Sequence, residues 1–280
     1  SLAAVTPQDW DVSFHDDAVR ATNFDTDADL IALTAMTAQA TRAYQLADAF
    51  RSRGKTVVMG GFHASNLPDE ALQHVDSVVV GEGELAWPQL LADFQAGRLQ
   101  RVYRADGLID TALIPQARRE IFKGSGHLFT NTIQTTRGCP FDCEFCSVTA
   151  FYGRKYRKRP LEQVLAELQE LRKANSFVFF VDDNIVADRR YSLPLFEGMK
   201  GMGLKWLSHA PIDFAEDQEL LKAAGESGCV GMFVGFESLN QDSLAAMGKV
   251  TNKAASYKAY AQQFRDHGIG ILGSFVMGCD

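Results

Sequence analysis

Cys139, Cys143 and Cys146 stand within eight residues of a chain that holds five cysteines in all. The run Thr136-Arg137-Gly138-Cys139-Pro140-Phe141-Asp142-Cys143-Glu144-Phe145-Cys146 has the spacing C-x3-C-x2-C. Three thiolates on one short loop converge on one inorganic cluster. Three ligands for a [4Fe–4S] cluster leave one iron open, and an open coordination position lets a metal site act on a small molecule. Zinc is the competing reading, but structural zinc sites usually close with a fourth Cys or His. None stands at a typical zinc spacing here, and His127 lies on the other side of the preceding strand. Three unrelated buried cysteines would not crowd together beside Gly138 and Pro140. Cys229 and Cys279 are too few for an auxiliary four-thiolate cluster, and both read as small buried hydrophobes.

The elements around this loop follow a strand–helix rhythm. Strands are predicted at Thr132–Thr136, Phe177–Val181, Lys205–Ser208, Gly231–Phe236 and Gly270–Val276. A helix begins after Pro160, with Leu161, Val164, Leu165, Leu168 and Leu171 on one face. Others are expected near Asp217–Ala224, Gln241–Met247 and Ala254–Asp266. Five such steps make a partial β/α barrel of the TIM type over residues 127–280, with its site at the strand carboxyl ends. The cysteine loop follows the first strand, and Asp182-Asp183-Asn184 follows the second. Glu237 ends the fourth, and Ser274 lies on the fifth.

The first half is also α/β. Strands are predicted at Val12–Phe14, Leu30–Met36, Thr56–Met59 and Ser77–Val80. A helix covers about Ala38–Arg53, and another places Leu85, Leu90, Leu91 and Phe94 at helical spacing. Continuous apolar strands alternating with helices imply a parallel, doubly wound sheet of the Rossmann or flavodoxin kind over residues 1–96. Ligands of such sheets bind beyond the strand carboxyl ends. Those ends carry Thr34 and Thr37, Gly60, Gly61 and His63, and Gly81-Glu82-Gly83-Glu84. Residues 97–126, with Pro115 and several glycines, read as a linker.

The cysteine loop resembles that of the radical S-adenosylmethionine superfamily, over a stretch from about His127 to Asp280. The resemblance implies that the amino and carboxylate groups of S-adenosylmethionine (SAM) chelate the open iron, and that reduction releases a 5′-deoxyadenosyl radical. It places Asp182, Asp183 and Asn184 where that family contacts the methionine amino group, although the usual Gly-Gly-Glu sequence is absent. Helix capping is the plain alternative for these residues. It also offers Phe145 and Ser274 to the adenine and Glu237 to the ribose or substrate; packing, a buried strand and a helix cap are the respective alternatives. The first half resembles the cobalamin-binding domain that precedes many radical SAM barrels, which implies cobalamin against Thr34, Thr37, Gly60, Gly61, His63, Gly81, Glu82, Gly83 and Glu84. The D-x-H-x-x-G sequence that supplies a cobalt ligand elsewhere is absent. His63 reads first as a hydrogen-bonded structural histidine. A degenerate domain without cofactor is a further alternative.

The whole pattern is similar to cobalamin-dependent radical SAM methyltransferases. It implies three cofactors: a [4Fe–4S] cluster, SAM and cobalamin. It also implies methylation of an unactivated carbon of a small molecule or lipid, with electrons from a ferredoxin or flavodoxin. Cyclisation or rearrangement is the alternative reaction, and a non-catalytic Fe–S or cobalamin sensor the alternative class. A methylthiotransferase would need three more N-terminal cysteines, and none precedes Cys139.

Composition agrees. Hydrophobic residues make up 46% and charged residues 22%, ordinary for a globular protein. The apolar runs are strand-sized, so no membrane-spanning segment is expected. The net charge of −7 opposes nucleic acid and anionic lipid. Clustered free thiols suit a reducing, cytoplasmic compartment. The run Arg154-Lys155-Tyr156-Arg157-Lys158-Arg159 reads as a solvated loop, with contact to an anionic substrate or to the cofactor carboxylate as the sharper reading. The absence of an initiator Met, of the usual first sheet strand and of a sixth barrel strand leads us to expect truncation at both ends.

Overall fold

The computed structural model describes residues 1–105, 107–122 and 131–278. The chain divides into two compact units, Ser1–Leu128 and Phe129–Asp280.

The first unit opens with a short helix, α1 (Leu2–Val5), and is built on four parallel strands: β1 (Leu30–Thr34), β2 (Thr56–Gly60), β3 (Ser77–Val80) and β4 (Val102–Arg104). They lie side by side in chain order. Parallel neighbours need crossovers, and helices supply them. Helix α2 (Ala40–Arg51) joins β1 to β2. Helices α3 (Gly61–Asn66) and α4 (Pro68–Ala71) join β2 to β3, and α5 (Gly83–Gln95) joins β3 to β4. Successive side chains of a strand face opposite ways. Val57, Met59 and Val78 therefore meet Ala43, Ala47 and Phe50 of α2. Val58 and Val79 meet Trp87, Leu90 and Leu91 of α5 on the other face. Both faces are covered, as a doubly wound sheet requires.

Several sequence expectations change here. Val12–Phe14 forms no strand; Phe14 packs edge-on against Phe122, with ring centroids 4.5 Å apart. Part of the stretch that the sequence presents as a linker is sheet, because Tyr103 on β4 is buried and its hydroxyl donates to Asp93 Oδ2 at 3.1 Å. Leu85 is exposed, and the buried stripe of α5 runs through Ala86 and Trp87 instead.

In the second unit, β5 (Thr132–Ile133), β8 (Phe177–Phe180), β9 (Lys205–Pro211), β10 (Cys229–Glu237) and β11 (Gly270–Phe275) form one parallel sheet, again laid down in chain order. Two short antiparallel strands, β6 (Thr136–Arg137) and β7 (Arg157–Lys158), bracket the cysteine loop and a short helix, α6 (Ser147–Tyr152). Crossover helices α7 (Leu161–Ala174), α8 (Arg189–Met199), α9 (Gln218–Glu226) and α11 (Tyr257–Asp266) follow, with α10 (Gln241–Ala246) after β10. This is a partial β/α barrel. Helix α8 carries Pro194 and Gly198 inside its pattern, which hides it from a reading by periodicity, yet Leu195, Phe196 and Met199 are fully buried. Val178, Phe180, Trp206, Met232 and Val234 face the helices. The intervening residues Phe179, Leu207, His209, Phe233 and Gly235 fall on the opposite face by the period of two. Cys279 lies outside the described residues, as do residues 123–130, which hold the expected end of the linker and His127.

In the first unit, Tyr44 donates to Glu70 Oε1 at 3.0 Å and meets His63 Nε2 at 2.6 Å. Burial, then Glu70, pushes its pKa up to about 12, so the hydroxyl keeps its proton. Tyr44→Phe leaves His63 short of a partner inside the core. We expect it to cost about 1–3 kcal/mol of stability, measured by urea unfolding.

Candidate functional site

The site begins with a carboxylate. Asp182 follows β8 and is fully buried. The amides of Thr135 and Thr136 and both their hydroxyls donate to it, the Thr135 hydroxyl at 2.7 Å. These bonds turn the chain away from β5, so the single strand expected at Thr132–Thr136 is split in two. The turn delivers Gly138 to a left-handed backbone with φ of +84°. A Cβ there would sit 2.1 Å from the Lys155 carbonyl oxygen, so only glycine fits.

Asp183 and Asn184 then reach the loop. The Gly138 amide donates to Asp183 Oδ2 at 3.1 Å, and Asn184 Nδ2 lies 4.0 Å from Cys139 Sγ. Burial raises the Asp183 pKa, and the Gly138 amide opposes that. Burial also raises the thiols of Cys139 and Cys143; the Phe141 amide and Asn184 counter it at the first, and the Lys249 ammonium at the second.

A cavity of about 520 Å³ opens at the carboxyl ends of the strands. Its lining brings together Cys139, Cys143 and Cys146 with Phe145, Asp183, Asn184, Glu237 and Ser274. Asp182 is absent from it, because both its oxygens are spent on Thr135 and Thr136. Two side chains that the sequence reading passed over also line it. His209 on β9 faces Phe233 on β10 in the strand register, and their rings lie 5.1 Å apart. Its Nδ1 meets the Asp182 carbonyl oxygen at 3.1 Å, so that nitrogen carries the proton. Burial lowers its pKa and keeps the ring neutral. Lys249 lies beyond α10 and donates to Glu237 Oε1 at 2.9 Å. The only signal for His209 is its odd position in the alternating run Lys205–Pro211. Lys249 carries none.

Glu237 has φ of +62°, unusual for a residue with a side chain. It sits at a register shift between β10 and β11, and its carboxylate folds back over Gly235, where an added Cβ would lie 2.1 Å from Oε1. Buried Asn252 and Tyr257 hold the adjoining backbone: Nδ2 of Asn252 donates to the carbonyls of Gly235 and Phe236, and the Tyr257 hydroxyl to that of Phe236.

No residue of the basic run belongs to this lining, and four of its cations have partners of their own. Arg154 pairs with Asp142, Lys158 with Asp188, and buried Arg159 with buried Glu167 at 2.8 Å. The Arg157 guanidinium lies 5.7 Å from the centre of the Tyr152 ring.

The donor set fits an iron–sulfur cluster. Among the described residues, no three Cys, His, Asp or Glu side chains gather closely enough for a single ion. Three thiolates spread over one wall suit a cluster, in which each iron takes its own sulfur.

In the first unit, Thr34 and Thr37 are exposed at the β1 end, with Gly60, Gly61 and Gly81 at the ends of β2 and β3. Three other candidates turn inward. His63 is buried, with Tyr44 on Nε2 and Thr37 at 3.4 Å from Nδ1, so both ring nitrogens are engaged within the unit. Glu82 is buried and accepts from the Ile109 amide at 2.8 Å, and Glu84 is buried too. Gly83 lies against Leu2. The exposed hydroxyls and glycine backbone suit a bulky ligand rimmed with amides.

Residues 133–279 match the family model of the radical SAM superfamily, and residues 2–91 that of the B12 binding domain. The chain belongs to the radical SAM superfamily. A bacteriochlorophyllide d C-12(1)-methyltransferase of Chlorobaculum tepidum is 35% identical over 90% of this chain and 57% of its own length. A bacteriochlorophyllide d C-8(2)-methyltransferase of the same organism is 34% identical over 95% of this chain and 62% of its own. The chain thus spans about six-tenths of these curated relatives. The radical SAM methyltransferase TsrM from Kitasatospora setae, with cobalamin and a [4Fe–4S] cluster bound, shares the fold. It has a TM-score of 0.71 and 16% identity over 91% of this chain and 59% of that one. The tandem of family matches gives the chain the cofactor set expected from its sequence: a [4Fe–4S] cluster, SAM and cobalamin. Among the described residues, no helix is long and apolar enough to cross a membrane.

Two variants test the geometry. Gly138→Ala forces the loop off the Lys155 carbonyl, and we expect iron and sulfide per chain to fall several-fold after anaerobic reconstitution. Asp182 carries a pKa raised by burial from 3.8 to about 6. An acid raised in the folded state holds its proton more tightly there, so stability falls as pH climbs from about 4 to about 6. Asp182→Asn cannot titrate and sets an amide against the Thr135 and Thr136 donors. We expect a lower melting temperature at every pH, with this part of the pH slope gone.

Proposed function

We propose that the chain forms the cofactor-binding part of a cobalamin-dependent radical SAM methyltransferase acting on an unactivated carbon of a small molecule or lipid. The observation that carries this reading is the cavity at the barrel strand ends, whose lining brings Cys139, Cys143 and Cys146 together with Asp183, Asn184 and Glu237. The B12 binding match ahead of it supports cobalamin as the methyl carrier. A tetrapyrrole is the favoured substrate class, since the relatives at 35% and 34% identity are named for methylating bacteriochlorophyllide d.

A cluster held by the three cysteines would supply the electron for SAM cleavage, and cobalamin held by the first unit would supply the methyl group. The reductant is a ferredoxin or flavodoxin, and the compartment a reducing, cytoplasmic one. The chain's own residues bind and exclude water. Cys139, Cys143 and Cys146 hold the metal, and Asn184 donates towards the first of these sulfurs. Asp183 and Glu237 supply acceptors for amino and hydroxyl groups, and Phe145, Phe233 and Leu272 provide apolar wall. In the first unit, Thr34, Thr37, Gly60, Gly61 and Gly81 receive the cobalamin.

The test is anaerobic reconstitution of the full protein, followed by dithionite and SAM. We expect 5′-deoxyadenosine, retention of added hydroxocobalamin, and loss of both cluster and cleavage in Cys143→Ala. An intact cluster that leaves SAM uncleaved would point to a sensor. Cleavage with a rearranged but unmethylated product would point to a cyclase.

A further inference from the structure

We propose that the exposed part of the basic run, Arg154 to Lys158, together with Arg190, is the docking surface for a small acidic ferredoxin that reduces the cluster. This rests on the radical SAM reading above. An electron donor must reach the cysteine loop without entering the cavity, because SAM and substrate occupy that space. Electron transfer also falls off steeply with distance, so the donor needs a surface that touches the loop from elsewhere. The basic run meets both conditions. None of its residues lines the cavity. Its strand β7 pairs with β6, which sets Arg157 opposite Arg137 and Lys158 opposite Thr136. The Lys155 carbonyl lies against Gly138, the residue before Cys139, where an added Cβ would meet its oxygen at 2.1 Å. Inward from the run, the Tyr156 hydroxyl donates to the Asn184 carbonyl at 3.1 Å, and Asn184 Nδ2 lies 4.0 Å from Cys139 Sγ. Packed backbone and two side chains therefore link the exposed run to the first thiolate.

The surface is positive on a chain whose net charge is −7. Lys155 is exposed, and its ammonium has no ion pair among the described residues. Arg154 is 64% exposed and pairs with Asp142 at 3.3 Å. Lys158 and Arg190 share Asp188, and Arg190 is 91% exposed. Two carboxylates thus answer four cations. Exposed pairs of this kind are weak, so a partner's acidic groups can compete for them. A local excess of one sign also steers an oppositely charged partner to the right face. Ferredoxins are small and acidic, and those of the plant type have low reduction potentials. Five residues of extended chain span at most about 18 Å, which is a small footprint, and electron-transfer encounters bury the least area among specific interfaces. In the transfer the ferredoxin gives up one electron and the cluster gains it; no bond forms or breaks.

The experiment measures equilibrium binding of a plant-type [2Fe–2S] ferredoxin to the full, anaerobically reconstituted protein by calorimetry at several salt concentrations. The wild type should bind more weakly as salt rises. Lys155→Glu with Arg190→Glu should weaken binding about tenfold or more and flatten the salt dependence, as like charges facing each other do. Lys173→Glu with Lys205→Glu makes the same change in net charge at exposed positions, the end of α7 and the start of β9, away from the strand carboxyl ends. It should stay within about twofold of wild type, because isolated surface charges contribute little. A second readout is 5′-deoxyadenosine formed with ferredoxin kept reduced by NADPH and its reductase, against that formed with dithionite. The patch variant should lose the first and keep the second. Equal weakening by the two double variants would reduce the effect to net charge and overturn the inference. So would unchanged binding in the patch variant, or patch-dependent binding of a flavodoxin with none of the ferredoxin. Patch-dependent ferredoxin binding by a wild-type protein that leaves SAM uncleaved with dithionite would sink the SAM reading and still support the docking surface.

Discussion

The carboxylate of Asp182 is the interaction on which the second unit is built. It has no access to solvent and gathers two backbone amides and two hydroxyls from Thr135 and Thr136. A buried charge is tolerable only when its lone pairs are filled, and four donors fill them. The consequence is directional. The β5 strand cannot continue, the chain turns into β6, and the cysteine loop begins at a strand carboxyl end. The next residues follow from the same turn: Asp183 takes the Gly138 amide, Asn184 reaches Cys139, and the Asp182 carbonyl orients His209.

The facing wall is built on strain instead. Glu237 holds a left-handed backbone at the end of β10, and such a conformation persists only where its surroundings enforce it. Asn252 and Tyr257 grip the preceding carbonyls from below, and Lys249 holds the carboxylate from the side. One wall of the cavity thus offers sulfur and acceptors, and the other a paired carboxylate and ammonium.

The first unit obeys the same topological rule and solves it differently. Its parallel strands end at one edge, but the charged and imidazole side chains there turn inward to Tyr44, Glu70 and the Ile109 amide. What remains outward is hydroxyl and backbone. Such an edge suits a large ligand held by many weak contacts, where the cysteine loop suits a small one held by few strong ones.

The sequence by itself determined the chemistry that depends on spacing. C-x3-C-x2-C can be read locally because all three ligands sit on one loop, and the alternation of apolar runs with helical stripes can be read because each period is local. Only tertiary structure could decide which neighbouring carboxylate faces the ligand, since Asp182 and Asp183 differ in partners found 45 to 47 residues away. It alone could place His209, through the register of β9 against β10, and Lys249, through the return of the loop after α10 to the cysteine segment. It also drew Lys158 and Arg159 of the basic run into pairs outside the site, because their partners Asp188 and Glu167 come from other elements. Side-chain direction and long-range pairing are properties of the packed chain, and residue type does not contain them.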